Sequence, residues 1–334
     1  MDLMPSEEHE QIAVTVRSLL ADRMPVVGRG RQHVVAGPEI DPLLWHECAE
    51  LGWLSLGLPE SLAGVGYGLV EETMLFRELG RGVAPGPFLP GVLGARVAAF
   101  AGDSGLAEAL VSGRQRVALG TVTRRGGLSI THCNGADLVV VCEPDRAVLF
   151  EFGECAVAPI DPVDGTIPTG VGVRPAGTGV ASVDATIDPV YERGLVLAAA
   201  CAVGISEALL ELAADHARQR EQFGKPIGAF QGIKHLCADM AVRADGAYAQ
   251  AGYAAVAVQD RLAGCGFEAA VAKYYADEAS RLNGEGCVQT FGALGFTSEA
   301  TPYRYVLRGH VLARSLASRA ALLDRIIDRS ELSG

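Results

Sequence analysis

Two long stretches of apolar residues at helical spacing flank one short, chemically crowded corner, and this arrangement restricts the fold more than any other feature of the chain. Before the corner, Leu195, Ala198, Ala202, Ile205, Leu209, Leu212 and His216 recur at intervals of three and four. After it, Phe230, Ile233, Cys237, Met240, Ala244, Ala247 and Ala251 do the same. The pattern predicts two helices, each with one buried stripe, joined by a tight turn at Gly224-Lys225-Pro226. The corner carries Arg218, Arg220, Gln222, Phe223 and Gln231. A plain helical hairpin requires none of these.

Length and composition set the outer bounds. A chain of 334 residues suggests two or three domains with a sizeable core. Alanine and glycine are abundant and aromatic residues make up only 6%, which favours closely packed helices. A net charge of −12 argues against nucleic acid as a partner, so an anionic ligand needs a local cluster of arginines. The eight cysteines form no Cys-x-x-Cys pair, and the histidines give no zinc spacing, so no metal site is expected. Scattered thiols fit a reducing, cytoplasmic setting. The acidic start (Glu7, Glu8, Glu10) is unlike a signal peptide, and no charge-free apolar run of about 18 residues suggests a membrane span.

In order, residues 1–30 read as an amphipathic helix with Ser6 as N-cap. Residues 41–55 read as a second helix, and a third runs through Glu71, Phe76, Glu78 and Leu79. Gly64, Gly66 and Gly68 lie between helices. A dinucleotide loop must leave a strand and open a helix, so that reading is rejected. A further helix is expected over 89–112. Between about 116 and 187, valine, threonine, glycine and proline rise, and short strands are expected at 117–123, 138–142, 147–150, 155–157 and 179–183. Helical patterns return at 267–290 and 302–328, giving a four-helix bundle with the two opening helices. The expectation is a mainly α chain with a small middle β domain: 1–115 helical, 116–187 β, 188–334 bundle.

The corner resembles the Arg-x-x-Phe-Gly-x-x-Ile-x-x-Phe-Gln signature of the acyl-CoA dehydrogenase family. Cys287-Val288-Gln289-Thr290-Phe291-Gly292-Ala293-Leu294-Gly295-Phe296 is similar to that family's Gln-x-x-Gly-Gly-x-Gly-Phe motif, with Ala293 in place of one glycine. The order α-domain, β-domain, bundle also matches. The resemblance implies α,β-dehydrogenation of an acyl-CoA thioester: a carboxylate removes a proton from Cα and hydride passes from Cβ to FAD. It further implies that FAD lies across a subunit boundary, with its diphosphate and adenosine held by this signature. Arg220 would then bond the diphosphate, as a fixed charge with several donors suits it. A surface ion pair with Glu221 or Asp215 is its plain alternative. Gln222 would add a polar contact and Phe223 would cover an apolar edge, or else belong to the core. Gln231 would bond adenosine or backbone. Gln289 would face the adenosine-diphosphate part, while Gly292 and Gly295 would allow close backbone approach or simply cap a helix.

Three departures qualify the resemblance. The β domain is short and lacks the Thr-Glu-Pro-x-x-Gly-Ser-Asp segment that cradles the flavin ring in typical members. The family's catalytic carboxylate is missing from both of its usual places. After Arg308 the chain reads Gly309-His310-Val311-Leu312-Ala313-Arg314-Ser315-Leu316-Ala317-Ser318, and the alternative place falls near Gly194. Glu192 is two residues away, about 200° around a helix, and is a weak candidate base. Third, the charged residue that usually follows Arg308 is Gly309. The pattern is similar to the small, non-catalytic subunit of heterotetrameric actinobacterial acyl-CoA dehydrogenases, some of which act on steroid side-chain thioesters. A longer acyl-CoA dehydrogenase partner would then supply ring contacts and base. The alternatives are a homomeric dehydrogenase using Glu192, or a flavin-free scaffold or non-redox enzyme on the same fold.

Overall fold

A computed structural model describes residues 6–26 and 39–328. Helices α1 (Glu7–Arg23), α2 (Pro42–Glu50), α3 (Leu69–Arg81), α4 (Phe88–Phe100) and α5 (Ser104–Val111) precede the strands. Ser6 caps α1, its hydroxyl accepting from the His9 N–H at 3.3 Å. The expected first helix ends at Arg23, and residues 27–30 lie outside the described ones. The expected helix over 41–55 stops at Glu50, and that over 89–112 is two helices. Its break falls at Gly102, with φ +83°, followed by Asp103, whose carboxylate accepts from the Leu106 N–H at 3.0 Å.

Seven strands form one sheet: β1 (Val117–Val122), β2 (Leu128–Thr131), β3 (Leu138–Cys142), β4 (Arg146–Glu151), β5 (Ala158–Ile160), β6 (Thr169–Gly172) and β7 (Ala181–Asp184). Their order is β5-β6-β2-β1-β3-β4-β7, antiparallel except for β1 beside β3. Strand alternation divides the apolar residues between two faces. Leu119, Leu138, Val140 and Leu149 join the main core, against which α4 and α6 pack, while Ala118, Val139, Val141 and Phe150 form a second, smaller core. Two strands, β2 and β6, go beyond the expected set. The strand expected at 155–157 is instead the end of a 3-10 turn at Cys155 and a left-handed Ala156, and β5 begins two residues later.

The remainder is helical: α6 (Val190–Gln219), α7 (Gln231–Gln259), α8 (Cys265–Phe291), α9 (Pro302–Leu312) and α10 (Arg319–Ile327). Between α6 and α7 lies a small hairpin, β8 (Glu221–Gln222) and β9 (Lys225–Pro226). α6 is the centre of the molecule, packed by α3, α7 and α8. It is long and apolar enough to cross a membrane, alone among the described residues, yet 72% of its most apolar window is buried inside the protein. α3 and α6 cross backbone to backbone, because a Cβ on Gly204 would stand 1.9 Å from the Arg77 carbonyl oxygen. Buried ion pairs tie the N-terminal helices to α6 and to the residues just before it: Arg193 of α6 to Glu72, and Arg96 to Asp188 at 2.7 and 2.6 Å. The helix expected over 302–328 is broken in two. Leu316 adopts φ +70° between the pieces, and Ser318 caps α10.

Candidate functional site

α6 ends where α7 begins, and the C-terminal end of α8 lies beside both. This brings the two motif stretches to one end of the bundle. The contacts are direct: His216 of α6 stacks on Phe291 of α8, with ring centroids 4.0 Å apart and planes 14° apart. A Cβ on Gly286 would meet Met240 and Leu236 of α7. The buried stripes of α6 and α7 lose their cover here. Met240, Ala244 and Ala247 are buried, whereas Ile233 and Cys237 are only half-buried.

The corner itself is the hairpin, not a turn at Gly224-Lys225-Pro226. Glu221 pairs with Pro226 and Gln222 with Lys225, so Phe223 and Gly224 form a two-residue loop with φ of +54° and +77°. Two successive positive φ values match the twist of a short hairpin. The loop pushes Phe223 into solvent, 91% exposed, with its ring edge-on to that of Phe230. Phe223 is therefore not a core residue. The Gln222 amide donates to the Glu221 carbonyl at 2.7 Å.

Arg220 caps α6. Its N–H donates to the His216 carbonyl at 2.8 Å, and its own carbonyl accepts from Ile227 at 2.8 Å. Asp215 pairs with Arg218 instead. The Arg220 guanidinium is exposed and makes no ion pair or hydrogen bond among the described residues. Gln231 opens α7 and Gln289 lies in the last turn of α8, both exposed. Gly292 is the C-cap of α8, and a Cβ there would meet nothing within 4 Å. Gly295 is buried, and its Cβ would stand 2.7 Å from the Val288 carbonyl oxygen. Its need for glycine is thus met within the chain's own packing. Gln289 and Gly295 line one end of a cleft of about 840 Å³ that runs along α8 towards α10.

The N-terminal end of α6, away from the corner, holds Gly194, near which the resemblance puts one place for the base. The two stretches touch: a Cβ on Gly194 would lie 3.0 Å from a methyl of Leu316, which belongs to the stretch after Arg308, and 3.1 Å from one of Leu93. That contact is apolar and closely packed. Leu316 is held in place by its N–H, which donates to the Thr121 hydroxyl at 3.0 Å. Glu192 is 5% exposed and accepts from Arg325 at 2.7 Å, while the Arg325 guanidinium also lies over the Tyr191 ring. The adjacent cleft, about 650 Å³, is walled by Tyr191, Arg325 and Leu316 and not by Glu192. β1 and β2 are joined by only residues 123–127 in a tight turn, closed by the Thr123 N–H on the Gly127 carbonyl at 2.8 Å.

Sequence reasoning missed two parts of this geometry. His216 was visible only as a member of the apolar stripe. The Glu192–Arg325 pair joins residues 133 positions apart, for which no local signal exists. All eight cysteines are free thiols, and no metal-binding cluster occurs among the described residues.

Comparison with known proteins agrees with the geometry. Residues 6–104 match the family profile of the acyl-CoA dehydrogenase N-terminal domain, and residues 190–327 that of the C-terminal domain. Acyl-CoA dehydrogenase IpdE2 of Mycobacterium tuberculosis is 30% identical over 331 residues, covering 97% of this chain and 98% of that one. Acyl-CoA dehydrogenase FadE34 of the same species is 29% identical over 83% of this chain, which spans only 40% of FadE34. Among solved structures, the Tcur3481-Tcur3483 steroid ACAD G363A variant superposes with a TM-score of 0.79 at 25% identity, covering 96% of this chain and 97% of that one. The ChsE4-ChsE5 complex from Mycobacterium tuberculosis shares the fold, with a TM-score of 0.81 at 24% identity and 98% of each chain covered. The chain belongs to the acyl-CoA dehydrogenase family.

Proposed function

We propose that this chain is the non-catalytic subunit of a heteromeric acyl-CoA dehydrogenase, holding the diphosphate and adenosine of FAD while a longer family member provides the catalytic base. The family is one of flavoprotein oxidoreductases acting on CH–CH bonds. The observation that carries the subunit reading is the contact between Gly194 and Leu316. The two stretches in which the resemblance puts the base touch there, and neither Gly194 nor residues 309–318 carry a carboxylate. Glu192 does not substitute, because its carboxylate is buried and already committed to Arg325.

The open end of the bundle suits the other role. Arg220 is exposed and has no ion pair or side-chain hydrogen bond among the described residues, so its charge is available to a diphosphate at little cost to the fold. Gln222, Gln231 and Gln289 offer amide donors and acceptors around it, and Phe223 presents an apolar face. The open side of Gly292 leaves room for a ligand, whereas Gly295 supports the turn behind it. When bound, FAD would supply the hydride acceptor. This chain's residues bind and orient its phosphate end. The short β1–β2 turn leaves ring contacts to the partner. Two related structures carry the names of paired chains, one of them a steroid enzyme, which favours an unlike partner and a bulky acyl-CoA substrate. We read the chain as three units, 1–115, 116–187 and 188–334, acting in the cytoplasm.

Arg220→Ala tests this directly. Loss of charge-assisted hydrogen bonds lowers FAD affinity of the complex roughly 10- to 100-fold, measured by flavin fluorescence. Unchanged flavin retention contradicts the assignment.

A further inference from the structure

We propose that His216 is a positioning residue for the FAD diphosphate, joining the two halves of the half-site and making cofactor affinity depend on pH. The inference rests on the half-site reading above. Its basis is geometric. The His216 carbonyl accepts the Arg220 N–H at 2.8 Å and so sets the backbone that carries the guanidinium. The His216 ring stacks on Phe291 at 4.0 Å. Phe291 directly precedes Gly292 and lies two residues beyond Gln289. One residue therefore contacts two stretches that are about seventy residues apart, through its backbone carbonyl on the Arg220 side and its ring on the Phe291 side, at the point where a single anion would bridge them.

The ring's charge state follows from its neighbours. Burial, and then the nearby Arg220 charge, push the His216 imidazole below its ordinary pKa, so it is neutral in the free protein near neutral pH. The other charged and titratable groups on the surrounding elements are already engaged or uncharged. Asp215 pairs with Arg218, Glu211 with Arg81, and Glu285 with Arg281. Lys225 of the hairpin sits over the Phe230 ring. The thiols of Cys237 and Cys287 are pushed up by burial, so they carry no charge. The remaining ones, all exposed, are Glu221 of the hairpin and Lys234, His235 and Asp239 near the start of α7. A diphosphate on Arg220 offsets the one charge that most disfavours protonation of His216. The imidazole then takes a proton from solvent, and by linkage affinity for the anion rises as pH falls.

The test uses the flavin-stripped complex of this chain with its unlike partner, titrated with FAD, whose diphosphate diester carries no proton that titrates near neutrality. For a rise of one pK unit on binding, affinity increases roughly tenfold between about pH 8 and about pH 5. Calorimetry in buffers of different ionisation heat detects the matching proton uptake. His216→Phe keeps the ring stack and abolishes the pH dependence, and His216→Ala weakens binding at every pH. A flat wild-type profile without proton uptake overturns the inference, as does a pH dependence that persists in His216→Phe. If His216→Phe folds poorly, wild-type proton uptake decides alone. Arg220→Ala separates the two levels: if it leaves FAD binding unchanged, the half-site reading itself fails, and this inference with it.

Discussion

Replacing Glu192 by glutamine separates a structural carboxylate from a catalytic one. The side chain is nearly isosteric, and its amide oxygen can still accept from Arg325, now at 2.7 Å from the carboxylate. What disappears is the charge assistance. A hydrogen bond to a charged acceptor contributes about 1.5–3 kcal/mol and a neutral one about 0.5–1.5 kcal/mol. Stability should therefore fall by about 1–2 kcal/mol, a few degrees in Tm for a chain of this size. Removing a general base costs about 10²- to 10⁴-fold in rate, or roughly 3–5 kcal/mol of barrier. The two roles are thus well separated by kinetics even though both perturb folding. The assay is turnover of the assembled complex on a panel of acyl-CoA thioesters with a dye as electron acceptor, alongside flavin content and thermal unfolding. We expect turnover within about twofold of wild type at any substrate concentration, by the same kinetic scale. A loss of a hundredfold or more with flavin content and Tm preserved would place the base on this chain and refute the reasoning.

Arg308 holds Asp164 at 2.7 Å, the Ala84 carbonyl at 2.8 Å and the Thr166 hydroxyl at 2.9 Å, so Arg308→Met should cost about 3–5 kcal/mol in thermal unfolding. Burial alone would push the Asp164 carboxyl up, but the Arg308 charge and the Thr166 hydrogen bonds hold it below the usual range. A depressed pKa stabilises above the ordinary aspartate value, about 3.9, and that contribution is lost as pH falls through the folded value. The gap between wild type and Arg308→Met should accordingly narrow below about pH 4; a gap independent of pH would contradict the pairing. Gly204→Ala forces a Cβ to within 1.9 Å of a backbone oxygen at the α3–α6 crossing and should destabilise by about 1–3 kcal/mol or more. Gly252→Ala, with open space around it on α7, should be neutral or stabilising by up to about 1 kcal/mol; equal effects at the two sites would show the crossing to be looser than described.

The sequence was most informative where one helix face is buried. The stripe of α7 follows the spacing of Met240, Ala244, Ala247 and Ala251, which alone in that span are buried, whereas α6 is buried at its striped positions and, packed on several sides, at most positions between them. It was least informative where that rule breaks down. α4 is buried on almost every side, so its apolar pattern continues across the stop at Gly102 and hides the boundary. The break between α9 and α10 rests on a left-handed leucine, where glycine or asparagine would have marked it. β2 and β6 are four-residue strands rich in threonine, serine and glycine, and only the pairing of β2 with β1 and of β6 with β2 makes them strands. The site followed the same division. Arg220 and Gln289 sit in local motifs that can be read in order. The packing of Leu316 against Gly194 and the clamp of Arg325 on Glu192 are long-range contacts that no motif announces.

The central claim concerns which chain owns which end of the flavin, and flavin stoichiometry tests it most directly. The chain is purified alone and with its unlike partner, and flavin absorbance is set against subunit composition by mass. The account predicts one FAD for each pair of unlike chains and little or none retained by this chain alone. One FAD per identical chain, with turnover in the partner's absence, would contradict it.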